Sequence, residues 1–95
     1  MVGKYVFIGD EYVGKMPMHW ITQAHKADAL YVAIVLYRLS AINKGGPFKF
    51  TNIECKRRGI SRHTKYRALV ALEKAGLIEV LERRNGANPI ITIKQ

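Results

Sequence analysis

Ser61-Arg62-His63-Thr64-Lys65-Tyr66-Arg67-Ala68-Leu69-Val70-Ala71-Leu72-Glu73-Lys74-Ala75-Gly76-Leu77-Ile78 carries helix signals at both ends. Ser61 is a good N-cap, because its hydroxyl can accept one of the first free backbone N–H groups. Residues 62–75 follow, with Ala68, Leu69, Leu72 and Ala75 on one face. Gly76 closes the helix in the left-handed conformation. Just upstream, Thr51-Asn52-Ile53-Glu54 has the form of a capping box. The Thr51 hydroxyl can accept from the Glu54 N–H, and the Glu54 carboxylate can reach back. Phe50 and Cys55 occupy the two staple positions around that cap. This second helix is expected over residues 52–58, ending at Gly59. Only Gly59-Ile60-Ser61 separates the two helices. A turn that short forces a steep crossing, so the helix over residues 62–75 projects its N-terminus from the body.

Residues 27–42 predict a helix as well. Leu30, Ile34, Tyr37 and Ala41 recur at helical spacing, and Val32, Ala33 and Leu36 widen the stripe. Asn43-Lys44-Gly45-Gly46-Pro47 stops it, with Gly as the left-handed cap residue. Phe48-Lys49-Phe50 alternates as a short strand does. Residues 77–83 and 90–94 read as strands joined by a tight turn over 85–89. At the start, residues 4–8 predict a strand and Gly9-Asp10-Glu11 a turn. Tyr12-Val13 would pair back as a hairpin. Pro17 would open a short helix over 18–25, which puts Trp20, Ile21 and Ala24 on one side.

The chain has 95 residues, 48% apolar and 24% charged, the balance of one globular domain. We divide it into an N-terminal extension, 1–26, and a core, 27–95, with the hairpin at about 77–94. The longest apolar run, residues 29–37, is half of what a membrane span needs. No signal peptide is read at the start. Cys55 is the single cysteine, which excludes an internal disulfide or a multi-cysteine zinc site and fits a reducing, cytoplasmic setting. The net charge is +9. Six basic and three acidic side chains fall in residues 1–50, against ten and four in 51–95, so the excess concentrates in the second half. A small basic domain is drawn to polyanions.

Within the first turns of the helix over 62–75, Arg62-His63-Thr64-Lys65-Tyr66-Arg67, four of six residues are Arg, Lys or His. A basic first turn opposes the helix dipole, so local stability does not explain it. A phosphate partner or a solvated basic face accounts for it, and the major groove of B-DNA admits a helix presented in this way.

These residues resemble a known family. Ser61 through Ile78 looks like the recognition helix and following strand of winged helix-turn-helix proteins. Glu82 through Ile93 looks like the wing. The likeness is to MarR-like and related small bacterial and phage regulators. It implies an α+β winged helix: a three-helix helix-turn-helix core, a C-terminal β-hairpin wing, and here an extra N-terminal strand and helix. It also implies sequence-specific binding of double-stranded DNA and a role in transcription regulation. Arg62, His63 and Tyr66 would face base edges. Lys65 and Arg67 would hold phosphates, and Ser61, at the cap between the helices, would also contact DNA. Thr51 and Asn52 would meet the backbone through exposed N–H groups. Arg83, Arg84 and Asn85 at the wing tip would reach the adjacent groove. Lys65 stands where many such helices carry Val. Either it snorkels outward with its stem buried, or the helix is rotated and Lys65 contacts DNA directly.

Nothing in the sequence assembles an enzyme, and no cofactor or metal is expected. His19, His25 and His63 lack metal-ligand spacing. Gly45-Gly46 lacks the continuation of a phosphate-binding loop. Cys55 reads as a buried, inert thiol. No membrane partner or small-molecule effector is implied. Tyr5, Phe7, Trp20 and the apolar helix 27–42 serve either a homodimer surface or the monomer's own core. The alternatives to a regulator are a protein-interaction module and a mobile-element accessory DNA binder.

Overall fold

The computed structural model describes residues 3–8, 11–82 and 89–94, with side chains over 15–81 and 89–94. The chain runs β1 (Gly3–Ile8), β2 (Glu11–Pro17), α1 (Met18–Lys26), α2 (Leu30–Ile42), β3 (Phe48–Lys49), α3 (Asn52–Arg57), α4 (Arg62–Lys74), β4 (Ile78–Glu82) and β5 (Ile90–Ile93). This is an α+β fold. Strands β1 and β2 form an antiparallel pair, and β3, β5 and β4 form an antiparallel sheet in that spatial order.

The N-terminal pair is longer than its pattern suggests. Gly14 and Pro17 interrupt strand propensity, yet β2 pairs with β1 from Glu11 to Pro17. A register shift between Val6 and Phe7 absorbs one extra residue of β2. Pro17 sits outside α1 as its extended N-cap residue and not in the first turn.

Helix α2 begins at Leu30, three residues later than its apolar pattern suggests. Asp28 takes a left-handed φ of 57° and breaks the chain between α1 and α2. The Ala29 N–H bonds back to the Ala24 carbonyl at 3.1 Å, which closes α1. The far end of α2 closes in the same manner. Here the left-handed backbone after the cap starts at Lys44, at φ 55°, and continues into the expected glycine, Gly45, at φ 80°.

One core serves all of these elements. Met16, Trp20 and Ala24 enter it from the N-terminal segment, and Val32, Ala33, Val35 and Leu36 from α2. Phe50, Leu69, Leu72, Ile78 and Ile91 close it from the other side. Trp20 packs edge-on against Tyr37, with ring centroids 5.3 Å apart. Its indole N–H donates to the Lys94 carbonyl at 3.0 Å, which ties α1 to the end of β5. Trp20 is therefore packed within the chain's own core. Among the described residues, no helix is long and apolar enough to cross a membrane.

Candidate nucleic-acid interface

Both helices of the pair α3–α4 carry the expected N-cap side-chain bond, but the capping box of α3 is only half formed. Thr51 Oγ1 accepts from the Glu54 N–H at 3.1 Å. The Glu54 carboxylate turns the other way and takes Arg57 at 3.2 Å and Arg58 at 3.4 Å. Phe50 and Cys55, the staple residues, are both buried. Gly59 at φ 72° lets the Ile60 N–H return to the Cys55 carbonyl at 2.8 Å. Ile60 then drops into the core as a buried plug for the turn. Tyr31 of α2 donates its hydroxyl to the Arg58 carbonyl at 2.8 Å and fastens the end of α3.

Ser61 starts α4 by accepting from the Thr64 N–H at 3.1 Å. Its own hydroxyl proton goes to Thr64 Oγ1, at 2.9 Å. The Ser61 side chain is thus committed to the cap. From there α4 buries Lys65, Ala68, Leu69 and Leu72. Its exposed strip is Arg62, His63, Tyr66, Arg67, Val70 and Lys74, with no acidic residue in the first turn. Of the expected site residues, Arg62, His63, Tyr66 and Arg67 come together on this strip. Asn52 is exposed and Thr51 half-buried at the start of α3. Arg83, Arg84 and Asn85 lie outside the described residues.

Lys65 departs from the expectation of an outward phosphate contact. It is 1% exposed, among the largest fully buried side chains of the chain. Its Nζ donates to Asn52 Oδ1 at 2.9 Å. It also lies 5.3 Å from the centroid of the Phe50 ring and 5.7 Å from that of Tyr66. The ammonium points inward to α3 because an amide oxygen and two π faces replace water there. Beside it, burial pushes the Cys55 thiol above its ordinary value of 9.0. The Lys65 charge draws that thiol back down and Glu54 adds to the rise, with the net shift upward.

Two depressions flank the exposed strip of α4. A groove of about 420 Å³ separates α3 from the start of α4 and is lined by Asn52, Cys55, Lys56, Ile60, Ser61 and Arg62. On the other side, a cleft of about 250 Å³ brings His25, Asp28 and Tyr31 beside Thr64 and Arg67. The sequence reading missed Val70 and Lys74, although their spacing from His63, Tyr66 and Arg67 already places them on one helical face. It also missed His25 as a neighbour of Arg67, for which no local pattern exists. Among the described residues, no group of three or more histidine, cysteine or acidic side chains is placed to hold a metal ion. Comparison with family models, with curated proteins and with solved structures finds no match to this chain.

Proposed function

We propose that this chain is a winged helix-turn-helix protein that binds double-stranded DNA, with α4 in the major groove and the β4–β5 hairpin against the neighbouring backbone. The observation that carries the proposal is the exposed strip of α4, where Arg62, His63, Tyr66 and Arg67 stand free of acidic neighbours in the first turn. The element order supports it. Three helices, α2, α3 and α4, are interleaved with a sheet in which β5 lies between β3 and β4, as in a winged helix. The net charge of +9 supplies sequence-independent attraction to phosphates. On this reading the protein acts as a small transcriptional regulator by occupying its site.

The test is selection from a random duplex pool at physiological salt. One enriched motif is expected. Retention of every duplex without enrichment would replace regulation with accessory, sequence-indifferent DNA binding. No retention at all would overturn DNA binding and favour an acidic protein partner for the same surface.

A further inference from the structure

Lys65 poses a problem that the DNA reading alone does not answer. A lysine inside a core gives up its hydration, and an apolar side chain of similar length would fill the same space without that cost. What the lysine adds is a fixed donor. Lysine donates and never accepts, so the group facing it at 2.9 Å must be the oxygen of the Asn52 amide. That settles which way the amide lies. Its Oδ1 is turned inward to Nζ, and its two N–H donors are directed away from Lys65. Asn52 itself is exposed, at the rim of the groove between α3 and α4. An unrestrained asparagine at the surface samples both amide orientations, and only one of them presents donors.

We propose that Lys65 is a positioning residue. By holding the Asn52 oxygen it presents the Asn52 amide N–H groups to a DNA phosphate, and it makes no phosphate contact itself. This inference rests on the DNA-binding reading above. It assigns the buried ammonium to the geometry of the interface and removes it from the charges that neutralise the backbone.

Titration of Lys65→Met, Asn52→Ala and the double variant against one duplex over a range of salt tests this. Amide NMR spectra of the free proteins accompany the titrations. Lys65→Met keeps the apolar stem and removes only the donor. It is expected to shift the Asn52 side-chain amide signals and to weaken binding about tenfold, as loss of a charge-assisted hydrogen bond does. The slope of log affinity against log salt should stay at the wild-type value. The double variant should bind no more weakly than Asn52→Ala alone. A slope reduced by about 0.9 in Lys65→Met would show that Lys65 neutralises a phosphate and would overturn the proposal. Additive losses would overturn it as well, because Lys65 would then act independently of Asn52. If Lys65→Met does not fold, Asn52→Ala decides alone. Asn52→Ala takes the acceptor away from the buried Lys65 ammonium, so its amide spectrum must show the native fold, and wild-type affinity in that folded variant overturns the proposal. Wild-type protein that retains no duplex at any salt is a separate result. It removes the DNA reading, and this inference with it.

Discussion

Cys55 and the arginines of α4 lie a few residues apart in sequence, but their surroundings make opposite demands on charge. The thiol is buried and held up by desolvation, so the folded protein binds its proton more tightly than the unfolded chain does. The associated stability is fully present below the ordinary thiol value of 9.0 and is lost as pH rises through the higher folded value. The difference in unfolding free energy between wild type and Cys55→Ala should therefore shrink above that pH. A difference independent of pH would contradict the burial argument. On the proposed DNA-binding reading, the arginines of α4 would divide their work. With Arg62 on a base edge, Arg62→Ala should relax sequence preference at one position, at a cost of about 1–3 kcal/mol. With Arg67 on a phosphate, Arg67→Ala should weaken all duplexes alike and reduce the salt slope by about 0.9. Equal losses on cognate and random duplex for both variants would refute this division. The basic start of the exposed strip of α4, Arg62, His63, Tyr66 and Arg67, was legible from the local sequence, while its continuation to Val70 and Lys74 was missed although spacing places it on the same face. The fate of Lys65 was not legible. The helical wheel puts it beside the Leu69–Leu72 stripe, but its partner, Asn52, is thirteen residues away on another helix.

At the scale of elements, the ends of the helices decide what could be read. Ser61 and Gly76 bracket α4, and Thr51 and Gly59 bracket α3, each by side-chain or backbone chemistry present in the local sequence. Helix α2 is marked only at its far end, where the stop read in residues 43–47 includes the left-handed Gly45. It starts after Asp28 and ends before Lys44, both left-handed and neither a glycine. Asp tolerates that conformation better than most residues, which leaves Lys44 as the strained one. It is exposed, and the backbone alone closes the motif there, with the Gly45 N–H on the Ser40 carbonyl at 2.8 Å. Lys44→Gly should relieve the strain, partly offset by the greater freedom of glycine in the unfolded chain. We expect a net gain of about 0.5–1 kcal/mol, which raises the melting temperature by about 2–8 °C in a domain of this size. An unchanged or lowered melting temperature would show that the turn stores no strain at Lys44.

For the whole molecule, the decisive question is what the first 26 residues contribute. Sequence pattern sets them apart as an extension, because the helical motif and hairpin read beyond them already form a unit of their own. Packing joins them to the rest. Met16, Trp20 and Ala24 are fully buried, and the Trp20 indole N–H reaches the last described residue of the chain, Lys94. Such long-range packing leaves no periodic trace in either partner, and so the sequence left open whether Trp20 faced a second copy or the chain's own core. Its burial has a consequence that can be measured. Trp20→Ala empties a large core site and leaves the Lys94 carbonyl without its donor. The expected cost is about 3–5 kcal/mol. A domain of this kind has a total stability on the order of 5–15 kcal/mol, so the variant should be marginal at best. Urea unfolding gives the value. A cost under about 0.5 kcal/mol, the range of surface substitutions, would mean that α1 is peripheral and that the core of the fold begins at α2.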